Sequence, residues 1–361
     1  MEEKGKKGRM DYTLLLIVVL LVVIGLVILY STSAYNGQVK FHDSFYYLKK
    51  QAFATVLGIV LMLFVAGMDY HIWQRLAVFG YLAAVALSVA VMLFGREING
   101  SKRWLALGPF SFQPSEFAKV ALILFLADLV TKNVKTIGKM WTLCRIMFWI
   151  LPIVGLVGAS NLSTAIIILG IGVILIFVAS PKYAQFALMG LAGACFMGLF
   201  LALESYRLER RAIWRNPEKY EKGYQTLQGL YAIGSGGVFG VGLGNSVQKL
   251  GFVPEAQNDM IFSIICEELG LAGAGIIVFL FLLLIWRFFM IASGSRDLFG
   301  ALIATGAMAH MMIQVILNIA VVTNTIPNTG ITLPFISYGG TSVMFLLIEM
   351  GLVLSVSQVV D

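Results

Sequence analysis

Residues 12–34 read YTLLLIVVLLVVIGLVILYSTSA, contain no charged side chain and form the first long apolar stretch of the chain. A transmembrane helix needs about 20 consecutive, mostly apolar residues, and this stretch is long enough. Lys and Arg side chains at positions 4–9 precede it, as they do in a signal peptide, but the apolar region of a signal peptide has only about 7–15 residues. We therefore interpret residues 12–34 as an uncleaved first membrane span.

Nine further apolar stretches follow in a chain of 361 residues that is 59% hydrophobic and only 12% charged. Soluble domains carry about 25% charged residues, so this composition excludes a soluble enzyme. Three cysteines are too few for a disulfide-stabilised scaffold, and a net charge of +7 does not indicate nucleic-acid binding. The sequence predicts an all-α polytopic integral membrane protein with about ten transmembrane helices. The predicted spans are 12–34, 48–66, 75–94, 114–131, 144–160, 162–180, 183–203, 260–286, 299–322 and 334–357.

The distribution of Lys and Arg predicts which side of the membrane each loop faces. With the N-terminus inside, the short inner loops carry twice as many Lys and Arg residues as the short outer loops, in agreement with the positive-inside rule. We therefore expect residues 1–11 and the C-terminus to be cytoplasmic, and loops 95–113 and 204–259 to be extracellular. The second of these joins spans seven and eight, and loops of that length are often functional. Residues 1–361 are expected to form a single membrane domain.

Charged residues occur at the start of the fourth span. Glu116 and Lys119 are three residues apart and therefore share one helical face, and Pro114 suits the first position of that helix. One interpretation is a structural ion pair that orients two helices. The other is that Lys119, together with Arg103, contacts an anionic lipid head group.

Two carboxylates precede the eighth span in the segment 253–259, which reads VPEAQND. Pro254 is typical of the first helical position. A helix that begins there would place Glu255 and Asp259, which are four residues apart, on the same face. Two close carboxylates disfavour double ionisation, so one pKa is raised, and such a group is suited to general base catalysis. The alternative is a structural role for two acids near a helix N-terminus.

Polar residues also recur in the last two spans. His310, Gln314 and Asn318 are spaced four apart and form one stripe on the ninth span, which favours hydrogen bonds to neighbouring helices over a proton relay. The segment 324–342, NTIPNTGITLPFISYGGTS, contains two prolines and three glycines. A plain helix is therefore not expected where the last span begins, and non-helical backbone is tolerated there if it lines a cavity or is buried in protein.

Other motifs are weak or missing. The glycine-rich run at 234–244, GSGGVFGVGLG, does not follow a strand of a βαβ unit and is not a dinucleotide fingerprint. Packing glycines are the favoured interpretation, and a phosphate cradle formed by backbone amides is the alternative. The three histidines are far apart in sequence, and no Cys and His residues have metal-ligand spacing, so no metal site is predicted.

Three stretches together carry a family resemblance: KRWL at 102–105 leading to QPSE at 113–116, LGFVPEAQND at 250–259, and the run from Pro327 to Ser342. With these motifs the chain resembles the SEDS family (shape, elongation, division and sporulation), which includes FtsW, RodA and SpoVE. The resemblance extends from the first span to the last. It implies ten spans with a large extracellular loop between spans seven and eight.

The resemblance also implies an activity. Family members are peptidoglycan glycosyltransferases that polymerise lipid II, an undecaprenyl-pyrophosphate disaccharide-peptide, at the outer face of the bacterial cytoplasmic membrane. Their implied partners are a class B penicillin-binding transpeptidase and divisome proteins. The family's essential acid falls on Asp259, the expected catalytic base of an inverting transfer. The expected substrate-binding residues are Arg103, Trp104, Glu116, Lys119, Glu255 and Ser337. No cofactor is firmly implied, although a divalent cation, Mg²⁺ or Mn²⁺, could neutralise the leaving pyrophosphate.

The branch of the family and two rival functions stay open. The segments 223–225 (GYQ) and 242–249 (GLGNSVQK) look closer to FtsW and SpoVE than to RodA, which favours septal synthesis during division over elongation or sporulation. A lipid II flippase would need polar groups through the full depth of the membrane, whereas here they concentrate in the outer half. A non-catalytic scaffold for the transpeptidase would not need Asp259.

Overall fold

Long helices make up most of the molecule, as the apolar stretches predict. The computed structural model describes residues 10–98, 101–107, 110–186 and 213–359. The helices in these ranges are α1 (Tyr12–Phe41), α2 (Tyr46–Gly67), α3 (His71–Phe94), α4 (Pro114–Asn133), α5 (Met140–Ser160), α6 (Leu162–Ala179), α7 (Tyr224–Ser235), α8 (Ile261–Gly294), α9 (Leu298–Val322) and α10 (Gly340–Ser357). The strands in these ranges are β1 (Arg96–Ile98), β2 (Ser101–Leu107) and β3 (Phe110–Phe112).

Eight of the described helices, α1, α2, α3, α5, α6, α8, α9 and α10, are long and apolar enough to cross a membrane. This confirms the prediction of a helical multi-pass membrane protein. Helix α4 coincides with the fourth predicted span but carries four charged residues, so it does not belong to that group of eight. The predicted seventh span, 183–203, lies mostly outside the described residues, and the count of ten spans therefore stays a prediction.

The predicted loop 95–113 contains a small antiparallel sheet. Its strand order is β1-β2-β3, with Arg96 opposite Trp104 and Leu105 opposite Phe112. The sequence between β2 and β3 is Gly-Pro, two residue types that favour turns. The all-α prediction thus describes the membrane helices, and the short sheet between α3 and α4 is an addition to it.

The start of the last span was predicted too early. Residue 334 is expected to begin it, whereas α10 begins at Gly340, and residues 323–339, the α9–α10 loop, consist of turns, bends and irregular backbone. Phe335 adopts a left-handed φ of 62°, which an α-helix does not accommodate. The expectation that this segment is not a plain helix is therefore confirmed.

Close helix packing positions this loop inside the protein. A Cβ built on Gly25 of α1 would lie 2.4 Å from the carbonyl oxygen of Phe335, and one built on Gly351 of α10 would lie 2.5 Å from the carbonyl oxygen of Met62. Small residues at such contacts let backbones approach closely in membrane proteins. Glycines at these two positions thus allow α1 to pack on the α9–α10 loop and α2 to pack on α10.

The described part of the loop predicted at 204–259 is structured, and residues 204–212 lie outside the described ranges. Two 3₁₀ turns, Pro217–Lys219 and Glu221–Gly223, lead into α7. Helix α7 lies beside the first turns of α8, because a Cβ on Gly229 would lie 2.2 Å from the methyl of Met260 and one on Gly236 would lie 1.9 Å from the Cys266 carbonyl oxygen. Helix α7 and the start of α8 therefore run side by side in the same direction.

The glycine-rich run packs against a break in α8. Gly270 interrupts that helix with a φ of 66°, and a Cβ on Gly240 would lie 2.2 Å from the carbonyl oxygen of Glu268. No side chain fits between the two backbones at this contact. The interpretation as packing glycines is confirmed for Gly236 and Gly240, whereas Gly234, Gly237 and Gly244 have open space around them. The close contact explains why glycine is needed at Gly240 and Gly270.

Candidate active site

Asp259 lies in a run of turns that precedes α8. Residues 250–260 form turns, and α8 begins at Ile261. Glu255 adopts a left-handed φ of 51°, and its carbonyl oxygen accepts a hydrogen bond from the backbone N–H of Asn258 at 2.9 Å. The prediction that Pro254 begins the helix, with Glu255 and Asp259 on one helical face, is therefore wrong. The left-handed conformation of Glu255 is incompatible with an α-helix, so α8 begins after it, at Ile261.

The carboxyl group of Asp259 is partly buried and accepts one side-chain hydrogen bond. Its Oδ1 accepts from the amide Nε2 of Gln225 at 3.2 Å. The pKa of Asp259 is raised from its ordinary value of 3.8 to about 6. Burial is the largest cause and the negative charge of Glu255 adds to it, whereas hydrogen bonds from backbone N–H groups and from Gln225 oppose the rise. A carboxyl with a pKa near neutrality is half ionised under mild conditions and can accept a proton from a hydroxyl group.

Gln225, on the first turn of α7, connects three segments of the site. Its amide nitrogen also donates to the carbonyl oxygen of Pro254 at 3.2 Å. Its amide oxygen accepts from the side chain of Asn328, in the α9–α10 loop, at 3.2 Å. In the sequence Gln225 is only a marker of family branch, because nothing local to it indicates that it contacts an acid 34 positions away.

Asn318 of α9 fixes the backbone on either side of the site. Its side-chain nitrogen donates to the carbonyl oxygen of Asp259 at 2.9 Å and to that of Ile331 at 2.7 Å. One turn earlier on α9, Gln314 donates to the carbonyl oxygen of Thr332 at 3.1 Å. The polar stripe on α9 therefore holds both the Asp259 turn and the α9–α10 loop. The sequence predicted partners on neighbouring helices, which His310 and Gln314 have, whereas Asn318 bonds to non-helical backbone.

The same stripe continues into a buried charged cluster between α4, α9 and α10. Lys119 lies 3.0 Å from Glu116 and 3.3 Å from the amide oxygen of Gln314. His310 Nε2 is 2.8 Å from that same amide oxygen, and its Nδ1 is 2.8 Å from the carboxylate of Glu349. The Lys119 side chain is only 2% exposed. In this arrangement both Glu116 and Lys119 contact protein groups, as the structural interpretation of the pair expects.

Arg103 and Trp104 lie on β2. Arg103 donates from Nε to the carbonyl oxygen of Ser160 at 3.1 Å, at the end of α5. It lines a small cleft whose walls include Ser88, Pro114 and Asn161. Trp104 is partly exposed on the same strand. The structure thus places both residues on the sheet that packs against α3, α4 and α5, and their proposed role in substrate binding stays a prediction.

Ser337 and Glu255 occupy different environments. The Ser337 hydroxyl is buried and accepts from the backbone N–H of Leu333 at 2.8 Å, so it stabilises the α9–α10 loop. Glu255 is exposed, hydrogen-bonds with Asn258, and lies 3.8 Å from Lys40 of α1. Of the predicted site residues, only Glu255 lies in the same turn as Asp259, and a role in substrate contact stays a prediction for both residues.

The side chains around Asp259 do not make up a donor set for a resident metal ion. Among the described residues, no three His, Cys, Asp or Glu side chains cluster closely enough to hold one. Glu255 is the acid whose charge acts on Asp259, and it is already hydrogen-bonded to Asn258. The steps proposed below are therefore assigned to side chains of the protein alone.

Comparison with known proteins identifies relatives along the whole chain. A family model for FtsW, RodA and SpoVE, described as "Cell cycle protein", matches residues 12–361. Stage V sporulation protein E of Bacillus subtilis (strain 168) is 40% identical, with 98% of each chain covered. A probable peptidoglycan glycosyltransferase FtsW of Trichlorobacter lovleyi is 35% identical, with 96% of this chain and 93% of the relative covered.

Solved structures agree with this assignment. A chain from the structure described as "Structural coordination of polymerization and crosslinking by a peptidoglycan synthase complex" superposes with a TM-score of 0.82 at 30% identity, covering 96% of this chain and 97% of that one. The rod shape determining protein RodA of Thermus thermophilus gives a TM-score of 0.71 at 29% identity over 96% of both chains. The chain therefore belongs to the FtsW, RodA and SpoVE family, the SEDS family whose motifs its sequence carries.

Proposed function

We propose that this protein is a peptidoglycan glycosyltransferase that polymerises lipid II at the outer face of the bacterial cytoplasmic membrane. The observation that carries the proposal is the Asp259 carboxyl, which is held by Gln225 and has its pKa raised to about 6 by burial. Relatives named as peptidoglycan glycosyltransferases support it. In this proposal both termini lie in the cytoplasm, and the turn that carries Asp259 lies on the opposite side.

In the proposed mechanism Asp259 acts as the general base. Its carboxylate takes the proton from the 4-hydroxyl of the acceptor sugar while that oxygen attacks the anomeric carbon of the donor. The bond from the anomeric carbon to the pyrophosphate oxygen breaks, and undecaprenyl pyrophosphate leaves with the bonding electrons. An α-linked donor and a β-linked product require a single inverting displacement, with an oxocarbenium-like transition state by analogy with glycosidases. General base catalysis contributes about 10²–10⁴-fold to such a rate.

The hydrogen bonds around Asp259 suit this role. Gln225 donates to one carboxylate oxygen, and Asn318 holds the backbone carbonyl of the same residue. These two contacts fix the position of the carboxylate, and a fixed base lowers the entropic cost of reaching the transition state. Arg103 and Trp104 are proposed to contact the pyrophosphate and a sugar, respectively, because guanidinium groups bind phosphate oxygens in pairs.

For the physiological role we propose septal synthesis during cell division, together with a class B penicillin-binding transpeptidase and other divisome proteins. The support is the similarity to proteins named FtsW. The 40% identity to Stage V sporulation protein E makes a sporulation polymerase the nearest alternative, and an elongation polymerase like RodA is a further one.

The test is polymerisation of fluorescent lipid II by the purified protein, with and without its cognate transpeptidase. Wild type is expected to form long glycan strands, and the Asp259→Ala variant none. Asp43→Asn is the matched control, because Asp43 is an exposed acid that pairs with Lys49 between α1 and α2, and it should polymerise normally. Polymer formation by the Asp259→Ala variant at the wild-type rate would contradict the assignment.

A lipid II flippase is the second candidate, and one observation favours it. The buried polar cluster extends from Glu116, in the first turn of α4, to Glu349, in the middle of α10, so buried polar groups are not confined to one end of these helices. Translocation of labelled lipid II across liposomes, unaffected by Asp259→Ala and accompanied by no polymer, would support the flippase and contradict the polymerase.

A further inference from the structure

Helix α7 and the chain that follows it form a hairpin that packs along the first turns of α8. We call residues 224–249 the α7–α8 hairpin, and residues 236–243 its tip. At the upper end, Gln225 contacts the Asp259 carboxyl next to the start of α8. At the lower end, Gly236 packs on the backbone of Cys266 and Gly240 packs on that of Glu268. The tip therefore lies beside the third turn of α8 rather than above that helix.

Apart from Lys249 at its end, the hairpin is uncharged, and its tip is apolar and exposed. Residues 223–248 contain no Asp, Glu, Lys or Arg. The side chains of Phe239 and Val238 are 84% and 58% exposed, and the neighbouring Leu271 of α8 is 70% exposed. Contiguous exposed apolar side chains of this size are unusual on a surface that faces water. They fit a surface that faces hydrocarbon.

The tip and the break in α8 pair part of each other's backbone. The break at Gly270 leaves backbone groups of α8 without helical partners, and the tip supplies partners for them. The four hydrogen bonds are Leu271 N–H to Gly237 O at 3.0 Å, Ala272 N–H to Val238 O at 3.0 Å, Val241 N–H to Glu267 O at 2.9 Å and Gly242 N–H to Glu268 O at 3.0 Å. Non-helical backbone at membrane depth is stable when protein groups satisfy it in this manner.

Two ion pairs give the depth of the tip. Arg287 of α8 pairs with Asp11 at the start of α1, and Lys249 pairs with Glu268 of α8 at 2.5 Å, where Ser31 of α1 also bonds. Along either helix these pairs are separated by about 20 residues, or about 30 Å at about 1.5 Å per residue. That separation equals the thickness of the hydrocarbon core, about 30 Å, so we place the Lys249–Glu268 pair near the edge of the core that is closer to Asp259.

The tip lies inside the edge marked by Lys249 and Glu268. Its backbone bonds to Leu271 and Ala272, three to four residues along α8 from Glu268, which corresponds to about 5 Å of depth at about 1.5 Å per residue. Interfacial elements typically insert by about 5–10 Å. Leu271 also begins the exposed apolar face of α8 that continues through Phe279.

We propose that the tip of the α7–α8 hairpin is a re-entrant membrane anchor, in which Val238 and Phe239 insert among the acyl chains of the leaflet next to the Asp259 site. Its partner is the lipid bilayer itself, because the exposed apolar side chains of the tip, their depth along α8 and their continuity with the apolar face of α8 match hydrocarbon. The anchor ties α7, and with it Gln225, to the membrane surface. The proposal does not depend on the reaction that the site catalyses.

Photocrosslinking from position 239 tests this inference. Phe239 is replaced by p-benzoyl-phenylalanine, which reacts with nearby C–H bonds, and the full-length protein is irradiated in its native membrane and in liposomes of phosphatidylethanolamine and phosphatidylglycerol. The expected result is a protein whose mass has increased by one phospholipid, with the adduct on residue 239. A second probe at Val238 should give the same adduct. It keeps the test informative if substitution at one of the two positions prevents folding.

Matched controls surround the test position. The same probe at Phe279, on the apolar face of α8, should also capture phospholipid. The same probe at Tyr220, a partly exposed aromatic residue before α7, should not. A crosslink from residues 238 and 239 to another protein, or to a second copy of this chain, would overturn the membrane anchor in favour of a protein interface. No adduct at either position, with Phe279 labelled, would show that the tip lies in water.

Discussion

Breaking the buried ion pair between Glu116 and Lys119 is the perturbation with the clearest expected magnitude. The two charged groups lie 3.0 Å apart, with side chains only 8% and 2% exposed. Lys119→Met keeps the length of the side chain and removes its charge, so the Glu116 carboxylate would stay buried without its cation. Removing one member of a buried pair costs about 3–5 kcal/mol.

Besides Lys119, His310 and Ser342 also act on the Glu116 carboxylate, and they would relieve part of this cost. One of its carboxylate oxygens, Oε2, already has no hydrogen-bond partner among the described residues. In the double variant Glu116→Gln/Lys119→Met both charges are gone, and replacing a whole buried pair by neutral groups is often close to neutral. We therefore expect the double variant to recover most of the stability that Lys119→Met loses.

The assay is equilibrium unfolding in mixed micelles titrated with sodium dodecyl sulfate, followed by circular dichroism. Lys132→Met is the control, because Lys132 pairs with Asp128 on the same helix at 2.7 Å but its side chain is 64% exposed. Exposed pairs contribute about 0–1 kcal/mol. A loss for Lys119→Met no larger than that of the control would refute the reasoning, since it would mean that Glu116 is solvated.

Polymerisation by the same variants separates the two interpretations of Lys119. If the pair is purely structural, the double variant should regain activity along with stability. If the double variant is stable and inactive, Lys119 or Glu116 also contacts the substrate.

Three further predictions concern the Asp259 site and the hairpin. Asp259→Asn should lower the rate of lipid II polymerisation about 10²–10⁴-fold without moving the unfolding midpoint. Because the base must be ionised and its pKa is about 6, wild-type activity should fall as the pH drops through 6. Gln225→Leu removes a donor that lowers this pKa, so the acid limb of the pH–rate profile should move to higher pH, and an unmoved limb would contradict the contact. Gly270→Ala places a Cβ 2.3 Å from the Gly240 nitrogen at a φ of 66°, so faster amide hydrogen exchange is expected at 236–243.

The sequence alone determined the features that depend on neighbouring residues. The length of each apolar stretch was enough to predict most of the helices, because the cost of exposing polar groups to hydrocarbon acts on every residue of a span. The spacing of His310, Gln314 and Asn318 predicted one polar stripe, since a helix places every fourth residue on the same face. The motifs were enough to indicate the family and to single out Asp259.

The residues that surround Asp259 are apparent only from the tertiary structure. Gln225 and Asn318 contact Asp259 from 34 and 59 positions away, and the left-handed φ of Glu255 shifted the start of α8 past the position that Pro254 suggested. The requirement for glycine at position 240 of the hairpin likewise follows from its close contact with the break at Gly270. Hydropathy and helical periodicity are properties of a short stretch of chain. These contacts depend instead on how distant segments pack, which a local sequence pattern does not predict.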